Sequence, residues 1–244
     1  MTFRPSSAVG RRARRELIAA AGCVLFDFDG PLASLFGNHK AHEVARVLRR
    51  SIDSWGLAPP LSDPDNPLQV LRDTARAYEG TPSAHRVAEL DRLLTTEEIR
   101  AAGSAVPTEH AHELVVWLVG HGKKVAVTTN NSAAAANLYL RRMGLAEFFG
   151  AHVHGRLGDT LLMKPDPSCL KEAMRTTGAR ARDCLMIGDS ADDCSAAQGA
   201  GVTFLGYAND ARKQRELEDA GARHITDALV HLFEERRQEE RRQP

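Results

Sequence analysis

The residues whose types could do chemistry appear first as a pair. In Cys23 to Phe36, CVLFDFDGPLASLF, an apolar run climbs to Asp27 and Asp29, then to Gly30 and Pro31. A carboxylate at the tip of a buried segment is costly unless it is paired or binds a metal. Asp and Gly are also common turn residues where strands end, so the pair alone leaves a turn and a reaction centre both open. Three other stretches repeat the design. The run KVAVTT (Lys124 to Thr129) ends in hydroxyls and is followed by Asn130; Lys164 stands in MKPDP; and CLMIGDSADD carries Asp189 and Asp193.

The elements that must position these groups follow from hydrophobic periodicity. CVLF, KVAVTT, a segment near AHVHG, CLMIGD and VTFLGY read as buried strands. EHAHELVVWLVGHG, SAAAANLYLRRMG, PSCLKEAMRTTG and SADDCSAAQGAG read as helices that stop at glycines, and ARHITDALVHLFEER as a last αβ-like segment. Strand alternating with helix predicts an α/β fold, a Rossmann-like parallel sheet covered on both faces. The ligand crevice of such a sheet lies at the carboxyl ends of its strands. One edge would then hold four aspartates, a hydroxyl and a lysine.

Residues 34–107 differ. They show no convincing strand, and HKAHEVARVLRRSIDSWG, NPLQVLRDTARAYEG and SAHRVAELDRLLTTEEIRAAG read as three or four amphipathic helices. About seventy residues between neighbouring strands are too many for a loop. The expected organisation is a catalytic core of residues 1–33 and 108–244 with an all-helical cap at 34–107.

The chemistry this edge suits is phosphoryl transfer, which needs positioned charge more than covalent machinery. A carboxylate can act as nucleophile, and a second can pass a proton to the leaving oxygen and take one from water. Like charges that close repel and raise one pKa, which favours the acid role. Mg²⁺, a hard cation that takes one or two carboxylates with substrate phosphate and water, would relieve the rest. Lysine supplies a point charge to phosphate oxygens and Thr a hydrogen bond. Gly30 frees the backbone to fold around a phosphate.

On these stretches the chain resembles the haloacid dehalogenase-like hydrolases. DFDGP looks like their nucleophile motif, VAVTTN like the second motif's strand-end Thr/Ser, KPDP like the lysine motif and GDSADD like the metal-binding motif. The resemblance covers residues 20–33 and 108–235 with all the motifs in order, and residues 34–107 resemble the family's C1-type helical cap. It implies Asp27 as nucleophile, Asp29 as general acid/base, and Thr129 and Lys164 holding the phosphoryl group, with Gly30 and Asn130 beside them. Asp189 would bind Mg²⁺ with the Asp27 carboxylate and the Asp29 carbonyl, supported by Asp193. Thr128 rivals Thr129, but the apolar run and the following Asn130 favour Thr129. Pro31 departs from the usual Thr or Val, removing an N–H and fixing φ near −65°. Ser34-Leu35 replaces a common Asp-Ser/Thr pair, so contacts from there do not carry over.

The implied function is a Mg²⁺-dependent phosphatase that hydrolyses a small phosphorylated metabolite through an aspartyl phosphate. A dehalogenase would not keep Asp29, and a phosphonate-cleaving enzyme would need a cap lysine where Lys40 is the only one. The alternatives are a sugar phosphomutase of the β-phosphoglucomutase type, for which His39 would serve, and a non-catalytic binding module, against which the intact motif set speaks. Arg46, Arg49, Arg50 and Arg72 either meet an acidic substrate or face water, and Trp55 and Tyr78 read as packing residues. His152 and His154 would share a strand face, but no third metal ligand is evident.

Composition narrows the partners. The 244 residues carry 32 basic and 32 acidic side chains, so no global field recruits nucleic acid or an acidic membrane. RRARRE near the start and EERRQEERRQ at the end read as solvated helix ends or frayed tails. Cys23, Cys169, Cys184 and Cys194 show no framework spacing, which fits a reducing cytoplasm. RRARRELIAAAGC imitates an export signal, but only six residues separate Glu16 from Cys23, fewer than the roughly 7–15 that such a signal needs. No run approaches the roughly 20 apolar residues of a membrane span.

Overall fold

The structure, a computed structural model, describes residues 8–156 and 160–233. Helix α1 (Ala8–Ala20) leads into β1 (Cys23–Phe26) and then a two-residue strand β2 (Ala33–Ser34). Helices α2 (Ala41–Ser54), α3 (Pro67–Tyr78) and α4 (His85–Ser104) follow, and the chain returns through β3 (Val106–Pro107). Next come α5 (Ala111–Gly120), β4 (Lys124–Thr128), α6 (Ala133–Arg142), α7 (Ala146–Phe149) and β5 (Val153–His154). The chain continues with α8 (Ser168–Thr177), β6 (Cys184–Gly188), α9 (Ala191–Ala200), β7 (Thr203–Tyr207), α10 (Ala211–Asp219) and β8 (Ile225–Thr226).

Six strands form one parallel sheet in the order β5-β4-β1-β6-β7-β8. In register, Leu25 faces Ala126 on one side and Met186 on the other. The chain leaves β1 for β4 and β5, then crosses to β6 on its other flank. β1 is therefore the topological switch point, and its carboxyl end is where a crevice must open.

Side chains two apart in a strand share a face, and the two faces carry separate cores. Val24, Phe26, Val127 and Ile187 pack under Leu114, Leu118, Tyr139 and Leu140 of α5 and α6. Cys23, Leu25, Ala126 and Met186 pack under Leu170, Ala173 and Ala197 of α8 and α9. A third core belongs to the insertion: Val44, Leu48 and Ile52 of α2 meet Val70 and Leu71 of α3 and Leu90 and Leu94 of α4. Each such side chain contributes about 1.5–3 kcal/mol by burial, so the insertion has a hydrophobic reason of its own to fold.

The structure departs from the sequence pattern at two places and decides a third. Residues 34–107 are not free of strand, because Ala33–Ser34 pairs antiparallel with Val106–Pro107 where the insertion leaves and rejoins. Strands of two residues carry no readable period. Helix α10 was not anticipated, although Asp210 caps it by accepting from Arg212 N and Lys213 N; its single buried side chain, Leu217, gives almost no apolar stripe. Of the two readings of RRARRE the helix end is the one found: it lies toward the start of α1, exposed or half-buried except at Arg14, which is buried. The C-terminal charged run lies outside the described residues. No helix among the described residues is long and apolar enough to cross a membrane.

Candidate active site

The carboxyl ends of β1, β4 and β6 meet in a cavity of about 210 Å³. Asp27, Asp29, Thr129, Asn130, Lys164, Asp189 and Asp193 all line it, joined from the insertion by Asn66, Leu68, Gln69 and Arg72. Of the anticipated residues only Gly30 is outside the lining. Its φ is 123°, and a Cβ there would fall on the Asp189 carboxylate, so only glycine lets the loop after β1 pass that close. Thr108 Oγ1 donates to the Gly30 carbonyl and fixes the loop.

Lys164 organises the floor. Its Nζ donates to Asp27 Oδ1 at 2.8 Å, to Asp193 Oδ1 at 2.5 Å and to the Thr128 carbonyl at 2.9 Å. The ammonium has three donors, and all are used. Burial works against its charge, but Asp193 and Asp27 outweigh that and raise its pKa well above the ordinary lysine value. Asn130 aligns the lysine's backbone, accepting from Lys164 N at 2.7 Å and donating to its carbonyl at 3.0 Å.

Asp193 is at once a helix cap and a site residue. Ser190 and Asp193 form a capping box at the start of α9. Asp193 Oδ2 accepts from Ser190 Oγ, Ser190 N and Asp189 N, leaving Oδ1 for Lys164. Gly188 allows this, because a Cβ there would stand 2.6 Å from Asp193 Cβ.

The remaining carboxylates are under strain of charge. Burial pushes Asp27 up to about 7, against the pull of Lys164, and Asp193 and Asp189 push it further. Burial likewise lifts Asp29 to about 6, and its Oδ1 accepts from Leu35 N at 2.8 Å. Asp189 is lifted to about 6 by burial and pairs with Lys213 of α10.

Asp27, Asp189 and Asp193 can each offer one carboxylate oxygen, all within 4.8 Å of one another. Three crowded oxygen donors, with the Asp27 and Asp189 carboxyls driven upward chiefly by burial, fit a hard dication, which supplies the missing positive charge. The Asp29 carboxylate is not in this group.

The structure separates the two threonines. Thr129 lines the cavity, and its hydroxyl donates to Asn131 Oδ1 and accepts from Asn131 N. The Thr128 hydroxyl turns away toward the Phe26 carbonyl and Met186 Sδ. His39 bonds Glu97 at 3.3 Å and does not line the cavity, while His152 and His154 both bond Thr176 Oγ1.

The sequence reading misses Lys213, and names Arg72 with its role left open. Lys213 sits on the unforeseen α10, and nothing in its spacing pointed to Asp189. Arg72, left between substrate and solvent, spans the cavity from α3 to Asp192 and to the Lys164 carbonyl.

The fold and this edge define an open α/β protein with a carboxylate site at the switch point. The chain belongs to the haloacid dehalogenase-like hydrolase family, whose sequence model matches residues 22–201. It is a phosphatase-type hydrolase of that family. It is 31% identical over 196 residues to the pyrophosphatase PpaX of Halalkalibacterium halodurans, spanning 76% of this chain and 83% of that one. It is 32% identical over 172 residues to a phosphoglycolate phosphatase of Mesorhizobium japonicum, spanning 66% and 73%. In structure it is similar to a predicted phosphatase from Clostridium acetobutylicum, with a TM-score of 0.66, 19% identity and coverage of 89% and 99%.

Proposed function

We propose that the protein is a Mg²⁺-dependent phosphatase of a small phosphorylated metabolite, working through an aspartyl phosphate on Asp27. The observation that carries this reading is the Lys164 ammonium bridging Asp27 and Asp193 at the floor of a cavity that Asp29, Thr129 and Asp189 also line. The relatives' names, a pyrophosphatase and phosphoglycolate phosphatases, agree with a small, anionic substrate.

Asp27 attacks phosphorus and the ester P–O bond breaks. Asp29 gives its proton to the leaving oxygen, then takes one from the water that attacks the phospho-aspartate. Inorganic phosphate leaves and Asp27 is restored. Lys164 and Thr129 hold the phosphoryl oxygens by trading a partner each has without substrate, Asp27 for the ammonium and Asn131 for the hydroxyl, worth about 10²–10³ in rate for one such donor. Mg²⁺, held by the carboxylates of Asp27 and Asp189 with Asp193 in support, would offset the charge of phosphate against carboxylate. The Asp29 carbonyl is assigned to the same metal site, and the backbone at Gly30 to the phosphate.

Residues 34–107 act as the cap and select the substrate, Asn66, Gln69 and Arg72 being its contribution to the cavity wall. The mutase alternative turned on His39, which is engaged by Glu97 instead. The deciding experiment is phosphate release from a panel of phosphomonoesters and pyrophosphate, with Mg²⁺ and with EDTA. Metal-dependent release with a preferred ester is expected, and Asp27→Asn should abolish it. Release unchanged in that variant would sink the mechanism.

A further inference from the structure

One buried ion pair lies outside the catalytic set. Arg156, just past β5, is 1% exposed in its side chain, and Glu98 of α4 is 0% exposed. The pair joins the core to the insertion. Arg156 Nε donates to Asp91 Oδ1, Nη1 to Glu98 Oε1 and the Asn130 carbonyl, and Nη2 to Thr95 Oγ1 and Glu98 Oε2. A guanidinium has five N–H donors, and every one is placed. Burial works against the Arg156 charge, yet Glu98 and Asp91 outweigh it and raise its pKa.

A buried ion pair against apolar alternatives is poor economy for stability alone. What distinguishes this one is the other side of Glu98. Its Oε2 accepts from Ser132 N at 2.9 Å and its Oε1 from Asn131 Nδ2 at 3.2 Å. Asn131 in turn receives the Thr129 hydroxyl on Oδ1 at 3.2 Å and gives its own N–H to that hydroxyl at 3.1 Å. Arg156 closes the ring from below: its N–H donates to the Asn131 carbonyl at 2.8 Å. Gly155 permits that approach, since a Cβ there would stand 2.7 Å from the Asn131 carbonyl oxygen. One carboxylate from the insertion thus fixes the backbone, the side chain and the hydroxyl direction of the loop after β4.

We infer that Glu98, clamped by Arg156, is a positioning residue that holds Asn131 and through it fixes the Thr129 side chain and the loop after β4 in the cavity wall where the phosphoryl group must sit. It touches no substrate itself. This rests on the phosphatase reading, because it assigns the loop a phosphate to meet. It also means that α4 anchors the insertion to the loop after β4, while α3 reaches the site separately through Arg72 with Asp192 and the Lys164 carbonyl.

The test compares the parent with Glu98→Gln and Asn131→Ala, the second breaking the relay while leaving the ion pair intact. Calorimetry with inorganic phosphate on the Mg²⁺-loaded protein should show binding weakened about tenfold in both, a change of ~1.4 kcal/mol. Mg²⁺ affinity measured on the same samples should stay within about twofold, since neither residue touches the carboxylate cluster. Amide exchange at Asn131 and Ser132 should quicken in Glu98→Gln. If Glu98→Gln melts lower but binds phosphate like the parent, the pair is structural only and the inference is overturned. A parent that binds no phosphate overturns the active-site reading instead; exchange at Asn131 and Ser132 then decides separately whether Glu98 anchors the loop.

Discussion

Lys164 Nζ stands 2.8 Å from Asp27 Oδ1, although 137 positions separate the two residues in the chain. The contact places a permanent positive charge against the proposed nucleophile and ties the loop after β5 to the tip of β1. Removing that ammonium leaves Asp27 and Asp193 buried together without a counter-charge. Breaking a buried pair costs about 3–5 kcal/mol. Lys164→Met should therefore lower both thermal stability and turnover, the latter by about 10²–10³. A variant retaining parental turnover would remove Lys164 from the site.

Asp27→Asn should separate activity from stability. Burial has already raised the Asp27 pKa to about 7, so its charged form is disfavoured in the metal-free fold. An isosteric neutral side chain relieves that cost. Turnover should vanish while the metal-free melting temperature stays level or rises, as calorimetry would show; a large drop would contradict the electrostatic account.

The same carboxylates set the pH dependence of the metal-free protein. Asp27 is raised to about 7 and Asp29 and Asp189 to about 6, chiefly by burial, against roughly 3.9 in an unfolded chain. Across that window the folded state holds more protons than the unfolded state, so this contribution to stability declines as pH rises from about 4 to 7. Mg²⁺ competes with those protons. Its stabilisation, read as a melting shift at fixed Mg²⁺ in excess over EDTA, should be larger at pH 8 than at pH 5.5. A shift independent of pH would count against the carboxylates as its site.

Lys213 is the cation that Asp189 has in the structure. A dication taking Asp189 must displace or share that partner. Lys213→Gln should accordingly tighten Mg²⁺ binding, by about tenfold or ~1.4 kcal/mol. Weaker binding in titration calorimetry would instead make Lys213 a support for the metal site.

Arg72 bridges α3 of the insertion to Asp192 of α9 at 3.2 Å. The Asp192 side chain is 41% exposed but that of Arg72 only 12%, and an ion pair with one partner open to water is worth about 1 kcal/mol at most. Arg72→Ala should lower the melting temperature modestly, the Lys164 carbonyl losing a donor as well. It should raise KM by about tenfold with kcat less affected, because the cavity wall is lost and the floor is kept. A fall confined to kcat would place Arg72 in the chemistry rather than the wall.

What the sequence by itself determined is the set of strand-tip residues and their common edge. Alternating buried strands and helices impose a parallel sheet, and a parallel sheet must bring Asp27, Thr129 and Asp189 to one side, whatever the loops do. The third core, of α2, α3 and α4, was equally legible, since Val44, Leu48 and Ile52 repeat at helical spacing. Tertiary structure decided what period and spacing do not encode. The apolar run and Asn130 favoured Thr129 over Thr128, and the packed fold turns the Thr128 hydroxyl away to the Phe26 carbonyl while Thr129 lines the cavity. Ala33–Ser34 finds Val106–Pro107 only once the insertion has folded between them. Lys213 on Asp189, Arg72 on Asp192 and Arg156 on Glu98 join residues 24, 120 and 58 positions apart. Long charged side chains read as solvated surface wherever they occur, because charge pairing depends on distance in space, and only the packed fold sets that distance.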